Sequence, residues 1–555
     1  MTSLRAAAAI ALVLSAACGS QPAAPSTARS EVPAVPAQST PVAPTLAQAI
    51  RASTRLGPAG AGVQVALDFS LQTRQASRLH ALEAAGRTVS PAEYRSQFGP
   101  DPLLAAAAVR FLTAGGLPAT WRPGSTLIEA DGPAPAVAAL LRVDIERYRE
   151  RDGTVFFATL DSPAFAPPLA AVVTGVTGLD SYRRTRSYAV RSGGLKPADV
   201  MAFYNLHPLR DRGLDGTGQT ILFPEIESLP QANIKDLNKF ASEFGLPPFD
   251  PLLTIKHNSN WGTPEKPQGE TVLDLEIAHE IAPKAKLVVY SAGPQFVFLD
   301  RAFDQLVTDN LGSIISESLG VCEAETAGGH RGTYAGVEDR AVAQGMTHFV
   351  ASGDNGAYTC GVDQDISPSF PATLPTVTAV GGTTVFESTT GAYYKEAAWG
   401  SPIDETGTGG GPSQYFAIPD WQRAVENANG HGFRQVPDVA ADADPITGFH
   451  IVFAGEDTQA GGTSAATPLW AATIALVNQD LKKKGLRQVG FANPAIYWMG
   501  ANETKLPASP FHDVTAGNNL AYDATTGWDF ATGWGSMDGD ALDSAWVTYI
   551  KEGGA

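Results

Sequence analysis

Three short segments of the chain carry side chains that could together cleave an amide bond. One is residues 461–468, GGTSAATP, which place Ser464 between small residues directly before an apolar run of helical character. Small residues let a substrate approach closely, and a helix N-terminus offers backbone N–H groups to a developing oxyanion. The pattern therefore predicts that Ser464 is a nucleophile. The alternative is a turn that only caps a core helix.

A serine hydroxyl is a weak nucleophile and needs a neighbouring base, for which two acids on one predicted helix are the candidates. In residues 269–283, GETVLDLEIAHEIAP, Glu270 and Asp274 are four residues apart and share one helix face. Ile277 and Ile281 continue this face as an apolar stripe. Two charged carboxylates on a buried stripe are costly, so one of them should hold a proton. The alternative is an ordinary solvated acidic face.

A third acid stands at the end of a predicted strand. Residues 347–351 form a short apolar run, and Ser352, Gly353 and Asp354 follow it directly. In open α/β sheets, sites are built at the carboxyl ends of parallel strands. Asp354 is therefore a further candidate site residue, and the alternative is a turn without chemistry.

Taken together and in this order, the three segments resemble the sedolisin family of serine-carboxyl peptidases, which has a subtilisin-like fold. The motifs are Gly-Thr-Ser-x-x-x-Pro at residues 462–468, Glu-x-x-x-Asp at Glu270 and Asp274, and Ser-Gly-Asp at residues 352–354. The resemblance implies an α/β fold whose parallel sheet carries helices on both faces, preceded by an α+β, ferredoxin-like prodomain. It covers nearly the whole chain after the signal region.

The resemblance assigns a role to each of these residues. Ser464 is the expected nucleophile, Glu270 the general base and later the general acid, and Asp274 a hydrogen-bond partner that tunes Glu270. Asp354, when protonated, is expected to share the oxyanion hole with the Ser464 N–H. A neutral carboxylic acid can donate to an oxyanion, and a glutamate base can work in acid, so an acidic pH optimum is expected.

The expected substrate-binding segment departs from the family pattern. Ser318, Leu319 and Gly320 should run beside the substrate. Many relatives have Trp or Tyr at the position of Leu319, and some of them hydrogen-bond that Trp to an outer Glu, for which Glu225 is the best positional match. Because leucine cannot hydrogen-bond through its side chain, the extended proton network of those relatives is not expected here.

Near the C-terminus the resemblance implies one structural calcium ion. Calcium prefers six to eight oxygen ligands from carboxylates, carbonyls and water. The implied ligands are the carboxylates of Asp513 and Asp529 and the backbone carbonyls of Val514, Thr525 and Gly527. The alternative is a turn rich in Asp and Asn that holds no metal.

The chain of 555 residues is too long for one core and should contain more than one domain. In the N-terminal part, alternation predicts a strand at residues 63–69, and a helical pattern covers residues 135–149. The predicted organisation is a signal peptide at 1–20, a Pro/Ala/Ser-rich linker at 21–47, an inhibitory prodomain at 48–182, a cleavable Arg-rich junction at 183–196 and a peptidase domain at 197–555.

The apolar opening of the chain predicts export, to the periplasm or the medium. Residues 14–18, LSAAC, resemble a bacterial lipobox in which Cys18 would carry a lipid anchor. The alternative is cleavage near Ala17 and full secretion.

Two further cysteines, Cys322 and Cys360, closely follow site segments, and similar pairs form disulfides in relatives. An exported chain permits this bridge, and two free thiols are the alternative.

Charge separates the two predicted domains. Residues 1–190 contain 17 Arg and 13 acidic residues, which gives a formal net charge of +4. The rest of the chain contains 39 − 17 = 22 basic and 57 − 13 = 44 acidic residues, which gives a net charge of −22. A weakly basic prodomain is thus the expected partner of an acidic peptidase domain, and acid should weaken their attraction. The acidic balance and the lack of a Gly/Lys phosphate loop exclude nucleic acid as an expected ligand.

The sequence therefore predicts an exported, calcium-stabilised endopeptidase made as a precursor and acting as a monomer. Its expected partners are peptide substrates and its own prodomain, which acts as inhibitor and chaperone. Two alternatives remain: a subtilisin-type enzyme with a histidine base, for which His279 is the nearest candidate, and an inactive surface lipoprotein that keeps the fold for binding.

Overall fold

The computed structural model describes residues 44–149, 153, 155–182, 194–361, 365–387, 391–425, 427 and 430–552. The predicted signal segment with Cys18, most of the linker and most of the junction lie outside these residues. The described residues form an N-terminal lobe, residues 44–182, and a C-terminal lobe, residues 194–552. Within the described ranges, no helix has both the length and the apolar character needed to cross a membrane.

Over the residues that the structure describes, the N-terminal lobe combines seven strands and six α-helices. Its strands are β1 (Thr54–Pro58), β2 (Gln64–Leu71), β3 (Ala119–Trp121), β4 (Leu127–Pro133), β5 (Glu146–Arg149), β6 (Val155–Ala158) and β7 (Val173–Thr177). Its helices are α1 (Pro44–Ala52), α2 (Ala76–Ala84), α3 (Pro91–Glu93), α4 (Pro102–Ala114), α5 (Ala134–Leu141) and α6 (Pro167–Ala170).

Two antiparallel sheets organise this lobe, which confirms its α+β character. One has the strand order β3-β4-β2-β7 and the other β1-β5-β6. The alternation in β2 buries Val65, Leu67 and Phe69 against α4 and α5. The predicted strand at 63–69 is thus confirmed within one to two residues.

The predicted helix at residues 135–149 is wrong in its second half. Helix α5 ends at Leu141 because Arg142 adopts a left-handed conformation, with φ 57°. The next residues form β5, in which buried Tyr148 is flanked by Arg147 and Arg149 on the other face. The period-two alternation that defines a strand is therefore present, but it follows the helical pattern without a Gly or Pro between them.

In its described residues, the C-terminal lobe contains the larger sheet and nine α-helices. Its strands are β8 (Thr220–Glu225), β9 (Leu253–Lys256), β10 (Lys286–Ser291), β11 (Ile314–Glu317), β12 (Val321–Cys322), β13 (Thr347–Ala351), β14 (Ser369–Phe370), β15 (Thr378–Glu387), β16 (Tyr393–Ala398), β17 (Gly400–Ser401), β18 (Thr406–Gly407), β19 (Gly411–Ala417), β20 (Phe433–Val436), β21 (Val439–Asp442), β22 (Phe449–Phe453), β23 (Glu456–Ala460), β24 (Phe511–His512) and β25 (Ser536–Met537). Its helices are α7 (Pro197–Phe203), α8 (His207–Asp211), α9 (Gln231–Glu243), α10 (Glu270–Ile281), α11 (Phe296–Asp309), α12 (Gly328–Ala343), α13 (Thr463–Lys483), α14 (Asn493–Ala501) and α15 (Gly539–Lys551).

The large sheet has the strand order β16-β15-β13-β11-β8-β10-β9, and β21 also pairs with β15. All of these pairings are parallel except that of β15 with β16. Along β8, Ile221 and Phe223 face the core that contains α10 and α13, whereas Leu222 faces the core that contains α11 and α12. The predicted parallel sheet with helices on both faces is confirmed.

The two lobes meet along α11 and α12, where buried charges cross the boundary. The Arg301 side chain on α11 donates to Asp68 of β2 at 2.8 Å and to Asp131 of β4 at 2.8 Å. Asp304, one turn further along α11, accepts from Arg122 of the N-terminal lobe at 2.5 Å and pairs with Arg340 of α12 at 2.8 Å. Specific ion pairs therefore hold the lobes together in the full chain.

Candidate active site

The first turn of α13 presents the candidate nucleophile. Ser464 is the second residue of this helix and is 1% exposed, and Gly462 precedes the helix with φ 93°. A Cβ at position 462 would lie 2.5 Å from Asp354 Oδ2. Glycine is thus required both by the backbone conformation and by the close approach of Asp354. The small residues around Ser464 bring the third acid next to the serine.

Pro468 leaves the Ser464 carbonyl without its usual partner in α13. Proline has no N–H, so the bond that residue 468 would donate to Ser464 O is missing. Instead, Ser318 Oγ lies 3.1 Å from Ser464 O, and it also lies 2.8 and 2.9 Å from the Asp274 carboxyl oxygens. The Ser464 Oγ donates to Ser318 O at 3.4 Å. Ser318 therefore joins the nucleophile helix to the acid helix.

The two acids of α10 are brought to the serine. Glu270 is hydrogen-bonded to Ser464, while burial and the nearby Glu225, Glu227 and Asp354 carboxylates work together to raise the pKa of Glu270 well above its ordinary value. Burial, followed by repulsion from Glu225 and Glu270, also raises the pKa of Asp274. These buried acids therefore share protons and titrate as one cluster.

Glu225 extends this cluster by one residue. It ends β8, is fully buried, forms a hydrogen bond with Asp274 and accepts one from Thr271 Oγ1 at 3.1 Å. Burial is the main cause that raises the pKa of Glu225 to about 8. A network beyond Asp274 thus exists although Leu319 offers it no polar group, because Glu225 contacts Asp274 directly. The expectation that the substitution at 319 would dissolve the network is wrong in this respect.

Asp354 sits on the other side of the serine. Its Oδ1 accepts from both the N–H and the Oγ1 of Thr463, each at 2.8 Å. Burial raises the pKa of Asp354 to about 6, against the opposing effect of these two bonds. With Oδ1 already accepting twice, Oδ2 beside Gly462 is the oxygen that is available to carry a proton.

The predicted substrate-binding residues follow directly after β11. Ser318 is 2% exposed and contacts Asp274, as described above. Leu319 packs with Ile226 and Leu299 in a small buried cluster. At Gly320, a Cβ would lie 2.3 Å from Ser369 Oγ, so a larger residue would disturb the strand pair β12–β14 behind it.

His279 lies far from the serine along the same helix. It is nine residues after Glu270, or about 13 Å along the axis. Its Nε2 lies 2.7 Å from Pro247 O, and its ring packs on Phe249 at 4.1 Å. Burial lowers the pKa of His279 to about 4. These contacts give His279 a structural place in the core and favour a glutamate over a histidine base.

The predicted calcium ligands form a compact turn. Asp513 accepts from Gly527 N at 3.0 and 3.1 Å, and Asp529 accepts from Thr525 N at 2.6 Å, while Val514 directly follows Asp513. Burial raises the pKa of Asp513, and it raises that of Asp529 to about 6. Over the described ranges neither acid forms an ion pair with Lys or Arg. Two unneutralised carboxylates beside exposed backbone fit a hard cation.

A disulfide joins Cys322 and Cys360, with 5.0 Å between their Cα atoms. It links β12, which follows the Ser318 segment, to the loop that begins at Asp354. The predicted pairing is thus present and braces two segments of the site.

Two contributors were not anticipated from the sequence. Thr463 supplies both donors to Asp354, and Glu227 accepts backbone N–H groups at the start of α10. Thr463 directly precedes Ser464 in the Gly-Thr-Ser motif, and this position could have marked it as a site residue. The Glu-x-Glu pattern at 225 and 227 offered one as well, because alternate residues of a strand point to the same side.

Comparison with known proteins agrees with this arrangement. Residues 51–182 match the activation-domain model of pro-kumamolisin, and residues 258–535 match the subtilase family model. Sedolisin of Pseudomonas sp. (strain 101) is 32% identical over 553 residues, which cover 91% of this chain and 90% of the relative. Kumamolisin of Bacillus sp. (strain MN-32) is 33% identical, with 74% of this chain and 77% of the relative covered.

A solved structure is similar as well. It is Pseudomonas sedolisin, a serine-carboxyl proteinase complexed with two molecules of pseudo-iodotyrostatin. The two share a TM-score of 0.57 and 32% identity, over 66% of this chain and 100% of that structure. With its activation domain and its subtilisin-like C-terminal lobe, this chain belongs to the sedolisin family of serine-carboxyl peptidases.

Proposed function

We propose that the protein is an exported, acid-active endopeptidase that is made as an autoprocessed precursor and cleaves peptide bonds through Ser464. The observation that carries this proposal is the convergence on Ser464 of two buried acids from different elements. Glu270 is hydrogen-bonded to the hydroxyl, and Asp354 lies against Gly462, two residues before it. One acid is placed to take a proton and the other to give a hydrogen bond.

The proposed reaction uses these acids in opposite protonation states. Ionised Glu270 takes the proton from Ser464 Oγ as this oxygen attacks the peptide carbonyl carbon. The oxyanion accepts hydrogen bonds from protonated Asp354 and from the Ser464 N–H. Glu270 then passes its proton to the leaving amine, and the C–N bond breaks. In a second step water attacks the acyl carbon while Glu270 takes its proton, and Glu270 then returns this proton to Ser464 Oγ as the ester C–O bond breaks.

The other members of the cluster let Glu270 carry its charge. Asp274 and Glu225 are hydrogen-bonded to each other and buried, so both are neutral when Glu270 is ionised. The active form therefore has one proton fewer than the fully protonated cluster. Activity is expected to fall at low pH as the cluster takes up this proton, and at higher pH as Asp354 ionises.

We further propose the organisation that goes with this activity. Residues 48–182 act as inhibitory prodomain and folding chaperone, cleavage falls within 183–196, and residues 197–555 remain as a monomeric peptidase. One calcium ion held by Asp513, Val514, Thr525, Gly527 and Asp529 would brace the C-terminal turn by neutralising its carboxylates. Residues 1–20 direct export, and Cys18 is the candidate for a lipid anchor.

The test is an acid shift of the purified precursor beside its Ser464→Ala variant, followed by intact mass and by peptide hydrolysis from acid to neutral pH. We expect only the wild type to lose the N-terminal segment and then to cleave peptides best in acid. His279→Ala is the matched control for the alternative base and should remain active. If both precursors stay full length and inert at every pH, the inactive binding protein becomes the better explanation.

A further inference from the structure

A buried carboxylate outside the proposed reaction holds the start of the acid helix. Glu227 Oε1 accepts from Gln268 N at 2.9 Å, and its Oε2 accepts from Gly269 N at 3.3 Å and from Thr271 N at 3.4 Å. Glu227 is 1% exposed. Thr271 N belongs to the first turn of α10, the helix whose first residue is Glu270, and the other two N–H groups belong to the two residues directly before it. Glu227 therefore contacts the backbone on both sides of the proposed base.

Helix α10 depends on this contact because it has no cap of its own. Its N-cap position is Gly269, with φ 114°, and no side chain at that position accepts a hydrogen bond. The first N–H groups of any helix lack intrahelical acceptors, and an N-cap side chain normally satisfies one of them. Glu227 satisfies them from the neighbouring segment after β8, which fixes the position of Glu270 relative to the sheet.

Burial and the backbone contacts act on the charge of Glu227 in opposite directions. Burial raises the pKa of Glu227, and the backbone N–H donors at 268–271 act against that rise. The positive end of the α10 dipole also favours a negative charge at this place. No Lys or Arg forms an ion pair with Glu227 in the ranges that the structure describes. Its charge is therefore felt by the neighbouring acids rather than cancelled.

Three acids lie near Glu227. Glu225 lies two residues earlier and Glu270 follows the N–H donors, and repulsion from Glu227 contributes to the raised pKa of both. Glu265 lies beside Glu227 through a backbone bridge. From the side of β10, the Ser291 hydroxyl donates to the Glu227 carbonyl at 2.6 Å, and His257 lies behind it with its Nδ1 3.0 Å from Ser291 O. Asp354, by contrast, owes its raised pKa to burial, which the hydrogen bonds from Thr463 oppose.

We propose that Glu227 is a positioning residue of the site: its carboxylate anchors the first turn of α10, and its negative charge sets how readily Glu270 gives up a proton. This inference rests on the proposed function. It predicts an effect on one limb of the pH profile only. Without the charge, Glu270 ionises more easily, so the acid limb moves to lower pH while the limb set by Asp354 stays.

The test compares kcat/KM against pH for the acid-processed wild type, Glu227→Gln and Glu227→Asp. We expect the acid limb of E227Q to move down by about half a pH unit to one unit, with the alkaline limb unmoved. E227D keeps the charge and should keep the limb. Glu276→Gln is the matched control: Glu276 is a buried acid of the same helix, accepts from Val452 N at 2.8 Å, and should leave both limbs in place.

Anchoring is tested separately by amide hydrogen exchange of residues 268–274 in the full-length precursors. The shorter side chain of E227D should withdraw from the N–H groups and speed exchange there by about tenfold, an effect that E276Q should lack. Hydrogen exchange in E227D tests the anchoring of α10 even if E227Q does not fold. An E227Q acid limb that superimposes on the wild type, an equal shift in E276Q, or unchanged exchange in E227D would overturn the inference.

These outcomes are separable from failure of the proposed function. A wild type that cleaves no peptide at any pH removes the proposed function and this inference together. A wild type with two clear limbs whose E227Q profile is identical removes the inference alone.

Discussion

At the residue scale, the proposed reaction requires Asp354 and Glu270 to carry different charges although both are buried close to Ser464. The hydrogen bonds distinguish them. Asp354 Oδ1 is occupied by two donors from Thr463, which leaves Oδ2 to hold a proton, whereas Glu270 meets the Ser464 hydroxyl. The neutral acid is therefore placed as a donor and the ionised one as a base. This division can be tested one residue at a time.

Replacing Asp354 by Asn should separate its role as donor from its titration. Burial raises the pKa of Asp354 to about 6, so its donor proton is present at lower pH and is lost as the pH rises through about 6. An Asn amide fits the same geometry and donates at every pH. We expect D354N to be about tenfold less active at the optimum but to lack the alkaline fall between about pH 5 and 8.

The measurement is kcat/KM across that range, with Glu270→Gln as the control that should be inactive throughout. An alkaline limb that remains near pH 6 in D354N would contradict the assignment of that limb to Asp354.

Gly462 offers a steric test of the same contact. An added Cβ would lie 2.5 Å from Asp354 Oδ2, so G462A should displace this carboxyl and lower peptide hydrolysis by about 100-fold, comparable to the loss of one oxyanion donor. Gly455→Ala is the matched control, because Gly455 also has a positive φ, 84°, but no atom lies within 4 Å of its added Cβ. Equal losses in the two variants would point to backbone strain rather than to Asp354.

At the element scale, α10 and α13 form the site by meeting end to side beneath the carboxyl ends of β8, β11 and β13. Neither helix is ideal at its first turns. Helix α10 lacks its own N-cap, and α13 contains Pro468. Each gap is filled from a neighbouring strand end, by Glu227 after β8 and by Ser318 after β11. The contacts that fill these gaps also fix the two helices relative to the sheet.

Pro468→Ala tests this role of the irregularity. An N–H at residue 468 can donate to Ser464 O, which competes with Ser318 and frees it from the nucleophile helix. We expect kcat to fall about tenfold. The free energy of unfolding should change by less than about 1 kcal/mol, because the gained hydrogen bond offsets the lost ring methylenes.

Peptide kinetics and urea unfolding provide the two measurements. Pro494→Ala is the control, since Pro494 is the second residue of α14, where a missing N–H costs no helical bond. A wild-type kcat in P468A would show that the free Ser464 carbonyl has no part in catalysis.

The same elements show how far the sequence alone could lead. Short-range signals were sufficient where period and length agree, as in the parallel strands. They failed at residues 142–149, where a left-handed arginine separates helix from strand. Glu225–Asp274, Glu227–Gln268 and Arg301–Asp68 join residues 41 to 233 positions apart, so only the folded chain brings them together.

At the scale of the whole molecule, a few buried ion pairs join the basic prodomain to the acidic peptidase domain, and these ion pairs respond differently to acid. Although Asp304 is buried, Arg340 and Arg122 hold its pKa below the ordinary value for Asp. The charged Asp304 therefore stabilises the contact between the lobes at any pH above that ordinary value, and this stabilisation is lost only as the pH falls through the lowered pKa. Burial raises the pKa of Asp68, so protonation of Asp68 favours the associated state. Through Asp304, acid is thus expected to loosen the prodomain only at low pH, and the proposed activation therefore relies on cleavage of the junction.

The last prediction concerns Arg301, which is 1% exposed in its side chain and pairs with both Asp68 and Asp131 of the prodomain. In R301M, two prodomain carboxyl groups lose their partner, and buried Asp68 is left without its Arg301 donor, which typically costs about 1–3 kcal/mol. We expect the precursor to lose its prodomain at least tenfold faster at a pH just above that at which the wild type is processed. Arg55→Met is the control, because Arg55 pairs with Glu146 within the prodomain. Intact mass against time measures both variants, and equal rates for R301M and wild type would mean that this pair does not restrain the prodomain.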